Sequence, residues 1–206
     1  MIISDIIEFD KKRSKVYIDG EFAFLLYKGE LRDYSIKINN ELSENSYETI
    51  TKELLPKRAT KRAMNLLQKK DYTEKQLRDK LSEGLYSDEA MDAAIDYVKS
   101  YRYLDDRRFA RDYVVYHIEA RSKNRVVNDL VSKGISKQTI IDTFEELENE
   151  GLFGDISENQ LNQITDLLNK KHYRSDMEYK DKQKIMAFLL RKGYDMDLIK
   201  KAMENT

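Results

Sequence analysis

Two hydrophobic rhythms meet at Pro56, the single proline of the chain. Before it, Val16, Ile18, Phe22 and Phe24 alternate with other residues around Asp19-Gly20, a dipeptide suited to the positive φ angles of a two-residue hairpin turn. This spacing predicts two antiparallel strands, and Ile7 with Phe9 supplies a third. Ser43 stands where an N-cap is needed for a short helix running to about Leu55, and Pro56 suits the first turn of the next helix. Residues 1–56 are therefore expected to form a small antiparallel β unit with one helix.

Beyond Pro56 the apolar positions recur at helical spacing, and the pattern repeats. Gly84, Gly134 and Gly193 each follow an amphipathic stretch, where a residue without Cβ can take the left-handed conformation that ends a helix. Seven residues before these glycines stand Leu77, Val127 and Met186; three before them stand Leu81, Val131 and Leu190. The alignment predicts one buried stripe used three times. Ser87, Ser136 and Asp195 follow as N-cap candidates, and Thr73 with Gln76, Ser157 with Gln160, and Ser175 with Glu178 fit the capping box. The predicted fold is mainly α: three tandem three-helix repeats at 57–103, 104–150 and 155–206, with Gly151-Leu152-Phe153-Gly154 as a joint before the third. Unequal spacing of the glycines favours a short flexible array over a rigid solenoid. One irregular helical domain with accidental helix-end glycines is the competing reading.

Charge changes this picture in one respect. Charged residues make up 36% of the chain, yet 37 basic and 38 acidic side chains nearly cancel, so attraction to nucleic acid must come from segregated charge. The third helices of the first two repeats are acidic, with Asp88, Glu89, Asp92 and Asp96 in one and Asp142, Glu145, Glu146 and Glu148 in the other. Phosphates would repel them, which opposes a reading as a helix-turn-helix-like DNA-binding regulator. Basic residues gather on the first and second helices instead. Lys57, Arg58, Lys61 and Arg62 share a helical face; Arg107, Arg108 and Arg111 open the second repeat, and Arg121, Lys123 and Arg125 mark its next joint. These ten are the candidate contacts to DNA or to an acidic partner, and a protein adaptor that never touches DNA would need none of them.

Other chemistry is thinly represented. Tyr101, Tyr103, Phe109, Tyr113 and Tyr116 lie beside arginines, a mixture that can stack on bases, although helical spacing favours core packing for Phe109, Tyr113 and Tyr116. Asp105 reads as an N-cap and Asp106 as a favourable charge in the first turn that follows. His117 and His172 have no companion ligand pattern, there is no cysteine, and no phosphate loop, metal-ligand spacing or nucleophile motif stands out. No catalytic residue, metal or cofactor is expected. The start lacks the pattern of a signal peptide and no apolar run approaches a membrane span of about 20 residues, so a cytoplasmic protein, expected to be a monomer, is predicted.

The phrases Lys70-Asp71-Tyr72-Thr73-Glu74-Lys75-Gln76-Leu77-Arg78-Asp79-Lys80-Leu81 and Tyr103-Leu104-Asp105-Asp106-Arg107-Arg108-Phe109-Ala110 resemble the RecX family, small bacterial regulators of the RecA recombinase. The resemblance runs from about Ala59 to Leu147 and more weakly through Lys192-Gly193 to the end. It implies three tandem three-helix repeats in an elongated, curved molecule, and the N-terminal β unit resembles an extension found in low-GC Gram-positive members. It also implies binding within the helical groove of the RecA filament on single-stranded DNA, suppression of ATP hydrolysis, strand exchange and coprotease action, and modest affinity for DNA itself, single-stranded or duplex. The family often has glycine before its second helix in the second repeat, where this chain has Ser122-Lys123-Asn124. Asparagine tolerates the left-handed conformation, so the turn is expected to survive.

Overall fold

A computed structural model of the chain describes residues 1–152 and 156–206, which are mainly helical with a small antiparallel sheet at the N-terminus. The chain divides into two compact units, Met1–Asp105 and Asp106–Thr206.

In the first unit, β1 (Ile3–Glu8), β2 (Arg13–Ile18) and β3 (Glu21–Tyr27) pair in sequence order, with Asp19 and Gly20 both at positive φ in the turn. Val16, Ile18, Phe24 and Leu26 face inward and are buried. Phe22 does not join them. Val16 pairs with Phe24 but Tyr17 pairs with Phe22, so a bulge inserts Ala23 and turns Phe22 to the outer face. Phe9 also lies beyond the end of β1 rather than within it.

A short helix α1 (Lys28–Asp33) follows the sheet. Ser43 caps α2 (Glu44–Thr49), its hydroxyl accepting from the Ser46 amide at 3.2 Å. The expected break at Pro56 is absent: α2 continues through a π-helical turn, Ile50–Leu54, into α3 (Leu55–Leu67). The Leu55 amide reaches back five residues to the Ile50 carbonyl. This wider turn accommodates a proline that has no N–H to contribute. The helices α4 (Glu74–Ser82) and α5 (Asp88–Ser100) complete the unit, and one buried cluster runs from Ile3 to Leu104. Buried alanines at i, i+4 spacing, Ala59 and Ala63 on α3 and Ala90 and Ala94 on α5, suit the close pairing of those helices.

The second unit contains α6 (Asp106–His117), α7 (Lys123–Ser132), α8 (Lys137–Asn149), α9 (Ile156–Lys170), α10 (Tyr179–Arg191) and α11 (Met196–Glu204). It has two buried clusters, one from Ala110 to Ile156 and one from Ile164 to Met203. Of the expected joint, Gly151 and Leu152 follow α8, whereas Phe153 and Gly154 lie outside the described residues.

The repeated stripe exists, but in a different register. The left-handed residues closing α4, α7 and α10 are Leu85, Gly134 and Gly193, with φ of 55°, 92° and 90°. Gly84 is not one of them; a Cβ there would lie 2.7 Å from a ring carbon of Tyr86, so glycine serves the close approach of that ring. Counting four residues back from the left-handed positions gives Leu81, Leu130 and Leu189, all fully buried. Val131 and Leu190, expected in the core, are 41% and 40% exposed.

Three cap expectations also change. Ser157 lies inside α9, which begins at Ile156. Ser175 lies inside a turn in which the Met177 amide bonds the Arg174 carbonyl, and α10 starts only after Glu178, whose side chain makes no cap bond. Thr73 and Gln76 do form the reciprocal box, and Ser87 and Ser136 cap with their hydroxyls. Asp195 occupies the N-cap of α11, but its carboxylate accepts from Asn124 Nδ2 at 2.7 Å rather than from its own helix. Asn124 itself is helical, so the turn before α7 uses no left-handed asparagine.

Candidate nucleic-acid interface

The ten basic candidates have different surroundings. On α3, Lys57 is exposed and pairs with Glu53 at 3.4 Å, while Lys61 and Arg62 are exposed without a carboxylate partner among the described residues. Arg58 turns inward. Its guanidinium bonds Glu30 at 2.9 Å and the Leu25 carbonyl at 3.2 Å and lies 4.6 Å from the Tyr27 ring centre, tying α3 to α1 and β3. Because its side chain is 15% exposed, it is a structural tie and a poor phosphate ligand.

Along α6 the expected separation of a basic face from an acidic one fails. Arg107 pairs with Glu146, and Arg111 makes a two-pronged bond to Glu150 at 2.8 and 2.6 Å. That contact raises the Arg111 pKa and lowers that of Glu150. Lys123 reaches Glu148 at 3.5 Å, with its ammonium over the Phe144 ring. The acidic stretch of α8 and the residue that follows it therefore neutralise Arg107, Arg111 and Lys123. Arg108 remains at the surface.

Arg121 and Arg125 flank one carboxylate, Asp129, at 2.8 and 3.3 Å, and Arg121 also donates to the Tyr113 hydroxyl at 3.1 Å. They line a groove of about 380 Å³ together with Ala120, Ser122, Arg191, Lys192 and Tyr194. Four cations thus surround a space whose lining contains no carboxylate, and the N-terminus of α7 adds its partial positive charge. A geometry of this kind can hold a phosphate. Its construction depends on the α10–α11 turn, which packs on the cap of α7 through Ser122 Oγ, donating to the Lys192 carbonyl at 2.7 Å; α9 in turn holds the end of α6, with Gln163 donating to the Ile118 carbonyl at 2.7 Å. Arg191 and Lys192 escaped the sequence reading because their partners are about 70 positions away; the visible signal was two cations immediately before a helix-ending glycine.

The aromatic stretch divides. Phe109 and Tyr113 pack partly into the core, but Tyr116, expected to pack, is 81% exposed. Tyr101 and Tyr103 form an exposed stack with Tyr97, with ring centres 4.9 and 5.9 Å apart in succession. His117 lies against the Tyr113 and Tyr116 rings, and burial, with Arg121 nearby, lowers its pKa. Among the described residues there is no group of three or more His, Cys, Asp or Glu that could hold a metal ion, and no helix long and apolar enough to cross a membrane.

Models of the RecX first three-helix domain and the RecX third three-helix domain match residues 59–97 and 158–203. The chain is 32% identical over 203 residues to the regulatory protein RecX of Clostridium perfringens (strain 13 / Type A), covering 93% of this chain and 90% of the relative. It is 30% identical to that of Clostridioides difficile (strain 630), covering 93% and 88%. Among solved structures, one described as a crystal structure of regulatory protein RecX aligns with a TM-score of 0.62 at 24% identity, covering 97% of this chain and 98% of the other. RecX from Lactobacillus salivarius aligns at 0.59 and 20% identity, over 73% of this chain and 96% of the other.

Proposed function

This chain belongs to the RecX family, and from that premise we propose that it regulates the RecA recombinase by binding the filament that RecA forms on single-stranded DNA. The outcome of binding is inhibition of ATP hydrolysis, strand exchange and coprotease action. The observation that carries the DNA-facing part of this reading is the groove of Arg121, Arg125, Arg191 and Lys192, where positive charge converges without a carboxylate in the lining.

Arg62, Lys61 and Arg108 are further surface contacts in this reading; Arg58 is not. The adaptor reading draws support from the neutralisation of Arg107 and Arg111 by α8. The two are separated by one comparison. Purified protein is added below stoichiometry to cognate RecA hydrolysing ATP on single-stranded DNA, beside the triple variant Arg125→Glu, Arg191→Glu, Lys192→Glu. We expect inhibition by the unaltered protein, its loss in the variant, and a single-strand salt slope reduced by about 0.7 for each phosphate contact removed. Unchanged inhibition by the variant would favour the adaptor.

A further inference from the structure

We propose that the outer face of the N-terminal sheet, with the cationic groove beside it, is a separate binding surface for single-stranded nucleic acid. The side chains of β2 alternate: Ser14, Val16 and Ile18 are buried, while Arg13, Lys15 and Tyr17 point outward. Strand pairing places Ile7 beside Lys15 and, through the bulge, Phe22 beside Tyr17. A solvated sheet face is ordinarily polar. Here Ile7, Phe9 and Phe22 are 46%, 40% and 42% exposed.

The rings and cations are interleaved. Tyr17 and Phe22 meet edge to face with centres 5.9 Å apart, and the charged groups of Arg13 and Lys15 lie 5.0 and 5.5 Å from the centre of the Phe9 ring. Such a surface can stack an unpaired base on a ring while a neighbouring cation meets its phosphate. In a duplex the bases are already stacked and their faces are out of reach, which favours a single strand.

Arg13 and Tyr27 also border a groove of about 620 Å³ between the β1–β2 connection and helices α3 and α4. Both carboxylates in its lining are engaged. Asp10 bonds Arg13 and the amides of Lys12 and Arg13, which hold its pKa below the usual value, and Glu83 bonds Lys80 at 2.6 Å. Lys11, Lys12 and Arg62 have no carboxylate partner among the described residues. Stacking rings beside unpaired cations suit a phosphodiester strand better than an acidic protein segment, which would satisfy the cations and leave the rings bare.

This site does not rest on the filament reading, and its test contains no recombinase. The full-length chain is titrated with a fluorescently labelled single-stranded thymidine oligonucleotide, and a 5-iodouracil version is photocrosslinked and mapped by mass spectrometry. Crosslinks are expected within residues 9–27. The double variant Phe9→Ala, Phe22→Ala should weaken binding about tenfold or more, since stacking on each ring is lost. Reversal of Lys11, Lys12 and Arg62 to glutamate should flatten the salt dependence, and blank duplex should compete poorly. If the ring variant fails to fold, the crosslinking of the unaltered chain decides the matter. Crosslinks confined to residues 106–206 would overturn the proposal. So would a folded ring variant with unchanged affinity, including the case where charge reversal alone weakens binding, which marks a general polyanion or acidic-protein surface.

Discussion

The buried hydroxyl of Ser122 donates to the Lys192 carbonyl at 2.7 Å and accepts the Arg125 amide at 3.2 Å, so one atom both caps α7 and docks the α10–α11 turn. Gly193 completes the joint, since a Cβ there would come within 2.7 Å of the same oxygen. Ser122→Ala should destabilise the second unit by about 1–2 kcal/mol through the lost cap and the stranded carbonyl. Gly193→Ala should cost more, as its φ of 90° strains any L side chain. The two changes together should cost less than their sum, because removing the hydroxyl removes the clash. Denaturant titration of the four proteins in the cycle measures this, and simple additivity would contradict the joint described here.

Leu130→Ala and Leu189→Ala should each cost about 2–5 kcal/mol, because both side chains are fully buried. Val131→Ala and Leu190→Ala should cost roughly 1 kcal/mol or less, with little transfer free energy at stake for side chains so exposed. Thermal melts of these pairs test the register directly. Equal losses at adjacent positions would restore the glycine-anchored stripe.

Arg58→Ala should lower the stability of the first unit by roughly 1.5–3 kcal/mol, as its charged hydrogen bonds hold together three elements. Lys61→Ala, on the exposed side of the same helix, should stay within about 0.5 kcal/mol. Denaturant midpoints compare them. A loss of DNA affinity in a fully stable Arg58 variant would return this residue to the contact surface.

His117 gives the second unit an acid-sensitive element. Its folded pKa lies below the ordinary 6.5, so below about pH 6.5 the unfolded chain takes up a proton that the folded chain resists. The stability linked to this group is therefore present above that pH and lost as pH falls toward the folded value. The imidazole resonance should titrate with a midpoint below 6.5, and His117→Gln should remove this component of the pH dependence. The first unit contains neither histidine, so hydrogen exchange resolved by unit provides an internal control.

Helices and strands were legible because amphipathic spacing and cap residues act locally. Asp19-Gly20 specifies its turn and Thr73 with Gln76 specifies a helix start within a few residues. Gly84 hides the repeat register, because it resembles Gly134 and Gly193 yet serves a tight ring contact, while Leu85 carries the left-handed turn. The N-cap spacing contained the correction: Ser87, Ser136 and Asp195 each stand two residues after the left-handed position. Charge pairing was less legible. Arg107 with Glu146 and Arg111 with Glu150 are 39 residues apart, and helix packing, not local pattern, brings them together. Likewise, one inserted residue in β3 moved Phe22 across the sheet, an effect that alternation alone does not reveal.

The unbroken core from Ile3 to Leu104 also imposes an order on biosynthesis. The three strands leave the ribosome first, but Ala90, Ile95 and Val98, which close the same core, are translated about 70 residues later, or roughly 4–14 s at ordinary elongation rates. A small isolated sheet is marginally stable in water. During that interval its inner face and both edges are open, and the nascent chain presents a sticky surface that chaperone capture would protect and that slow codons between β3 and α5 would leave exposed for longer.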